Sequence, residues 1–292
     1  MYKFLFLLPI FVVCKFCINN NSYNIFLLII KIYLMLRYIG RGLMGQPKTT
    51  SVLIALVVIL FFAFWEGIVR LNLVDPYSLA APTDSLVSLF NLPELWPNLT
   101  RTLFFIGLSY LFAVSIGLLF GLIVGSKRLL MQISDPFVMA LYSTPKVILM
   151  PIFILWIGLG FNLSVVFATF SGFFPMAINT IAALKGMSPS LLLLPRSLGA
   201  SRFQTYRKVI FPALLPMIST GLRLSLIAVM IAVILVEFFV PGFGGVGGLM
   251  VDFSITFRVH ELYGVIILMS VIAIAIVMPI LFIEKRLSKW RL

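Results

Sequence analysis

Few residues in this chain are equipped for chemistry, and they are scattered. Cys14 and Cys17 form a single C-x-x-C inside an apolar run. Zinc would need two further ligands, and the pair alone supports no redox role. His260 is the only histidine and reads as an exposed loop residue rather than a ligand. No acids cluster and no nucleophile sits beside a base, so the sequence assigns neither a catalytic residue nor a metal site. Three charges in apolar surroundings stand out instead: Lys146 after Pro145, Arg223, and Glu237. A charge inside a membrane is costly, which makes these three the candidates for a solute pathway. Snorkelling to the interface competes with that role for Arg223 and Glu237, which fall near the ends of their segment. A lysine and an arginine facing a pathway suit an anionic solute. The other unusual feature is "PRSLGASRFQTYRKVIFPALLP", residues 195–216. It is basic, centred on small residues, bounded by prolines, and set between two long apolar segments.

These residues must be positioned by elements suited to lipid. Of the 292 residues, 62% are hydrophobic and only 11% charged, with a mean hydropathy of +1.16. A water-soluble domain could not cover that much apolar surface. The net charge of +13 falls in short gaps between apolar runs, the pattern of a membrane protein with basic loops rather than of a nucleic-acid binder. A membrane span needs roughly 20 apolar residues. Six segments qualify: Ser51 to Val69, Thr102 to Gly125, Phe137 to Ile157, Leu163 to Leu184, Ile218 to Val240, and Leu262 to Ile283. Asp135-Pro136 is expected to cap the third, and "GLGFN" makes a tight hairpin between the third and fourth. Gly117, Gly121 and Gly125 recur every fourth residue along the second. That stripe predicts close helix packing.

Basic residues set the orientation. Arg41 and Lys48 precede the first span; Lys127 and Arg128 follow the second, Lys185 to Lys208 the fourth, and Lys285 to Arg291 the sixth. All fall on one side, so the positive-inside rule places both termini in the cytoplasm of a multi-pass protein. Residues 1–43 form an apolar extension whose two short runs carry lysine or arginine. Three readings stay open for it: two extra spans, an uncleaved signal-like region, or a start upstream of Met35 or Met44. The main domain is read as 44–292, with a cytoplasmic loop at 185–217.

Within that loop, Ser188-Pro189 is a good helix start. Pro195 kinks the helix, and Gly199 stops it by accepting a left-handed cap. Ser201 caps a second short helix, "RFQTYRKVI", in which Phe203, Tyr206 and Ile210 share one apolar face. Pro212 is expected to end it. The result is helix, glycine turn, helix on the cytoplasmic surface. On pattern alone, an amphipathic loop resting on lipid headgroups fits as well as a docking element does.

Gly199, nine residues, then Val209-Ile210-Phe211-Pro212 resembles the "G, nine residues, I-x-L-P" spacing that ends the EAA loop of binding-protein-dependent ABC importer permeases. "TPKVILMPIFILWIGLG", "FFPMAINTIAALKGMSPSLL", "STGLRLSLIAVMIAVILVEFF" and "FWEGIVRLNLVDPYSLAAPTD" resemble further segments of the sulfonate, nitrate and taurine branch. The likeness runs from about Met44 to the C-terminus. It departs at the loop's opening, where Leu193, Leu194 and Pro195 replace Glu-Ala-Ala.

The resemblance implies an all-α membrane protein with the six-helix core of the type I ABC importer permease fold. It implies a subunit that forms the translocation pathway for a small anion such as a sulfonate, taurine or nitrate; the same branch also imports pyrimidine-type vitamin precursors. Implied partners are two cytoplasmic ABC ATPase subunits, an external solute-binding protein and a second permease copy. The loop would dock on the ATPase through Arg196, Ser197, Leu198, Gly199, Ala200, Ser201, Arg202, Phe203 and Pro212. With the family's glutamate absent, docking is expected to rest on the glycine turn and the apolar face. ATP would be used by the partner, and no cofactor is expected on this chain, which lacks a G-x-x-x-x-G-K-[ST] phosphate loop. An ion-coupled secondary transporter would favour internal repeats and mid-bilayer acids, and neither is evident. A membrane enzyme has too few reactive groups to work with.

Overall fold

The computed structural model describes residues 47–187, Ser197, Gly199, residues 201–240 and residues 242–288. Among them every regular element is helical. The chain divides into two compact units, 1–68 and 69–292. In the first, α1 (Pro47–Arg70) is an apolar helix whose Phe61, Phe62 and Trp65 rings pack on one another. Residues 1–46, with Cys14 and Cys17, lie outside the described residues.

The second unit contains α2 (Pro82–Phe90), α3 (Leu95–Gly125), α4 (Arg128–Ser143), a 3-10 turn (Lys146–Leu149), α5 (Met150–Ile157) and α6 (Phe161–Lys185). After the loop come α7 (Arg202–Thr205), a π-helical turn (Tyr206–Ile210), α8 (Phe211–Phe239), α9 (Val246–Ile255) and α10 (Val259–Ser288). Five described helices, α1 included, are long and apolar enough to cross a membrane; the bent pair α4 and α5 makes a sixth crossing if it is counted as one span. The chain is an all-α, multi-pass membrane protein.

α3, α6 and α8 form the centre. Lipid tails are as apolar as leucine, so helices in a bilayer associate through close packing rather than water exclusion. The glycine stripe provides that closeness. A Cβ on Gly117 would lie 2.8 Å from the Met176 Cβ, one on Gly121 2.5 Å from the Thr180 Cβ, and one on Gly125 2.5 Å from the Leu184 Cδ1. The advance from Met176 to Leu184 shows that α3 and α6 run parallel. α8 returns antiparallel: Ser225 Oγ donates to the Gly172 carbonyl at 2.8 Å, and a Cβ on Gly221 would lie 3.0 Å from the Asn179 Cβ. Phe167, Val229, Val233 and Val236 fill the space between them and are wholly buried.

The third span departs from expectation. Rather than one helix over Phe137–Ile157 capped by Asp135-Pro136, the structure has α4 starting at Arg128 and carrying Pro136 inside it. Asp135 is therefore no cap; its carboxylate pairs with Lys185 Nζ at 3.1 Å. α4 and the following turn bend by 88° at Thr144-Pro145. A residue before proline is pushed out of the helical region, and Thr144 (ψ 128°) and Pro145 (ψ 108°) are both extended. The hairpin after α5 is as expected, with left-handed Gly158 and Gly160. α2 and α9 were not read as helices from the sequence.

The close approach of α3 and α6 yields a paired test. Gly121→Leu should overpack the contact by about 1–3 kcal/mol and lower the thermal midpoint of the detergent-purified protein. Gly107→Ala, where nothing lies within 4 Å of a new Cβ, should leave the midpoint unchanged or slightly raised. Equal effects would show that the stripe does not set the packing.

Candidate functional site: a coupling segment and the charges inside the bundle

At one end of the bundle the loop enters α8. Gly199 has φ +75° with open space around the position of a Cβ. The constraint there is backbone handedness, not crowding. Ser201 and Gln204 form a reciprocal capping box. The Gln204 N–H donates to Ser201 Oγ at 3.2 Å, and the Ser201 N–H donates to Gln204 Oε1 at 2.9 Å. Thr205 Oγ1 donates to the Ser201 carbonyl at 3.0 Å and is buried, whereas Phe203 is 70% exposed. The left-handed glycine and the serine cap stand as the sequence predicts. Arg196, Leu198 and Ala200, the Leu193-Leu194-Pro195 opening, and the side chains of Arg202 and Tyr206 lie outside the described residues.

Pro212 does not end the second short helix. It sits in the first turn of α8, and the backbone runs helically from α7 through the π turn into α8. Proline is tolerated in a first helical turn, where no intrahelical donor is required. Pro212 and Pro216 also supply no N–H to the turn before them. The wider π geometry of Tyr206–Ile210 falls just upstream of that gap. α7, the π turn and α8 are thus one continuous helical run.

The three candidate pathway charges have different surroundings. Lys146 lies at the break between α4 and α5. Its ammonium donates to the Tyr142 carbonyl at 3.1 Å, sits 4.9 Å above the Tyr142 ring and 5.8 Å from the Phe174 ring, and is partly exposed. A cation at the last carbonyls of α4 also meets the negative end of that helix. Arg223 is committed to α10: its Nε donates to Glu284 Oε2 at 2.8 Å, and Thr220 Oγ1 donates to Glu284 Oε1 at 2.7 Å. Arg223 and Glu284 are each about four-fifths shielded, with side chains 18% and 20% exposed. The sequence reading missed Glu284 because it precedes Lys285 and Arg286 and looks like part of a basic helix end.

Glu237 is 1% exposed, and protein donors occupy its carboxylate. Thr102 Oγ1 donates to Oε1 at 2.7 Å, and the Gly247 N–H donates to Oε2 at 2.8 Å. Thr102 Oγ1 in turn accepts the Val246 N–H at 2.8 Å, and Asn98 Oδ1 accepts the Gly245 N–H at 2.6 Å. Side chains of α3 and α8 thereby satisfy donors at the start of α9, the groups a helix leaves unpaired. A Cβ on Gly245 (φ +87°) would collide with the Glu237 carboxylate, and one on Gly247 would lie 2.7 Å from its Cβ. "GFGGVGG" is thus a turn stripped of side chains so that a buried acid can reach backbone. Asn98 and Thr102 were missed; only their spacing of four along α3 hinted at a shared face.

Two mutational cycles follow. Glu237→Ala and Gly245→Ala should each destabilise the purified protein by about 1–3 kcal/mol. The double variant should lose clearly less than the sum, because both break one contact; full additivity in thermal denaturation would refute the link. Glu284→Ala should destabilise by stranding Arg223, and Arg223→Leu combined with Glu284→Leu should recover much of the loss. A double variant no better than Glu284→Ala would show that the pair has no such role.

Comparison with known proteins agrees with this architecture. A Bacillus subtilis chain named as an aliphatic sulfonates transport permease protein, SsuC, is 28% identical over 86% of this chain and 90% of its own length. The taurine transport system permease protein TauC of Escherichia coli is 30% identical over 56% of this chain and 62% of its own. Among solved structures, an inward-facing MetNI methionine ABC transporter chain superposes with a TM-score of 0.58 at 21% identity, covering 67% of this chain and 97% of that one. The model of the binding-protein-dependent transport system inner membrane component matches residues 113–291, more than half of the chain, and the chain belongs to that family of ABC importer permeases.

Proposed function

We propose that this permease subunit forms the pathway for a small organic anion of the sulfonate or taurine kind. It acts as a homodimer with two cytoplasmic ATPase subunits and an external binding protein. ATP is bound and hydrolysed by the ATPase partners, and no cofactor sits on this chain. Both termini are cytoplasmic. One observation carries the mechanism: α7, which begins three residues after Gly199, the π turn and the span α8 form a single helical run. A partner gripping Ser197 to Phe203 acts on α8 through α7 and the π turn, and Pro212 marks where that run becomes α8. Arg196, Leu198, Ala200 and Arg202 complete the proposed docking surface, and the turn's handedness takes over the positioning that Glu-Ala-Ala provides in relatives. Displacement of α8 passes to α10 through Arg223 and Glu284, and to α9 and α3 through Glu237. Arg223 and Glu237 bear on the pathway through these contacts. Lys146, partly exposed beside Phe174 at the broken span, is the cation proposed to meet the solute. The anion assignment is supported by Lys146 and by the sulfonate and taurine names of two relatives.

The test is a Gly199 series, co-purified with the ATPase subunit and reconstituted with the binding protein. Asparagine tolerates left-handed backbone and β-branched valine does not. ATPase retention and taurine or alkanesulfonate uptake should therefore fall in the order glycine, asparagine, valine, with valine down about tenfold or more for a strain of 1–2 kcal/mol. An aminopyrimidine serves as the control solute and should not be taken up. Full retention by Gly199→Val would end the coupling-loop reading; uptake of the aminopyrimidine alone would end the anion assignment.

A further inference from the structure

At the opposite end of the bundle from the coupling segment, two of the three described arginines are neutralised. Arg70 pairs with Asp84 at 2.7 Å and Arg258 with Glu261 at 3.1 Å. The third, Arg101 on α3, makes no hydrogen bond or ion pair among the described residues, although its side chain is well ordered by aromatic rings. Its guanidinium lies 4.6 Å above the Phe243 ring and 5.9 Å from that of Phe105. Phe105 in turn packs on Phe243 and Phe161, each with ring centroids 5.4 Å apart. The guanidinium also abuts the glycine turn: a Cβ on Gly244 (φ +76°) would stand 3.2 Å from both Arg101 Nη1 and Asn98 Oδ1. The buried Glu237 carboxylate interacts with Arg101 through space only, and its hydrogen bonds come from Thr102 and Gly247.

Stacking fixes the plane of a guanidinium while leaving its edge of N–H donors unused, and that edge matches two oxygens of one oxyanion. Arg101 is exposed, so a ligand can reach it. An unpaired cation at a membrane protein's rim is also costly unless an anion or water meets it.

We propose that Arg101, held on the Phe105 and Phe243 rings beside the Gly242–Gly245 turn, is a binding site for a single tetrahedral oxyanion group at the mouth of the bundle. Two sources carry that group: the sulfonate of an incoming solute, and the phosphate of a lipid headgroup. The sulfonate source rests on the function proposed above; the lipid source does not.

The experiment uses the full-length permease in nanodiscs of neutral phosphatidylcholine, as wild type, Arg101→Gln and Arg101→Lys, each checked for monodispersity and thermal midpoint. Ethanesulfonate binding is measured by ligand-observed NMR, and retention of phosphatidylglycerol by native mass spectrometry after doping the discs. For a charge-assisted bidentate contact, Arg101→Gln should weaken binding of at least one probe about tenfold or more, with Arg101→Lys intermediate. Loss confined to ethanesulfonate identifies a solute site, and loss confined to phosphatidylglycerol a lipid site; either supports the oxyanion site. The proposal is overturned if the folded Arg101→Gln protein binds both probes as wild type does, or if Arg101→Lys keeps a wild-type midpoint yet binds no better than Arg101→Gln. Because the discs contain no ATPase or binding protein, these results are independent of whether Gly199 couples transport.

Discussion

The second unit of this molecule depends on backbone-to-backbone approach of three helices. α3, α6 and α8 touch where side chains are absent or minimal: Gly117, Gly121 and Gly125 on one, Gly172 on the next, Gly221 and Ser225 on the third. In lipid there is little hydrophobic reward for bringing apolar helices together, so dispersion contacts at short range must supply it. Further elements of this unit are attached to that trio. α4 and α5 fold back from the end of α3, and α10 is tied to α8 by Arg223 and Glu284. α9 is hung from α3 and α8 by Thr102 and Glu237. The charged side chains that tie in α9 and α10 sit at the two ends of the trio, and its middle is apolar apart from hydrogen bonds such as that of Ser225 to Gly172.

That distribution suits a carrier that changes shape. A tightly packed centre is bistable rather than soft, so motion enters and leaves at the ends. At one end α7 and the π turn run on into α8 without a break in the helix. At the other, the start of α9 is held through hydrogen bonds to Asn98, Thr102 and the buried Glu237 carboxylate.

The sequence made much of this readable, because membrane spans announce themselves by length and apolarity. The glycine stripe, the hairpin at Gly158 to Gly160, the left-handed Gly199 and the Ser201 cap rest on local rules with strong steric causes. What was not readable depends on distant partners. Nothing in "YSTPKVIL" alone distinguishes a kinked helix from an 88° break, because the outcome turns on whether neighbouring helices fill the bend. Asp135-Pro136 carries a good capping signature, yet its carboxylate serves Lys185, fifty residues away. Pro212 looked like a terminator because proline breaks helices in their interiors, and the sequence did not show that it opens a new one. α9 was hidden by its own glycines, which lower helix propensity; at Gly247 a Cβ would stand 2.7 Å from that of Glu237.

The π turn before Phe211 has a geometric consequence. It holds one residue more per turn than an α-helix would. An α-helix advances about 100° and 1.5 Å per residue. If that extra residue were absorbed into regular α geometry, the segment before it would rotate by about that angle relative to α8 while remaining helical throughout. Phe203 would then be carried from one side of the rod to an adjoining one. The junction is thus a swivel made of backbone alone, able to re-aim Phe203 without breaking the helical run into α8.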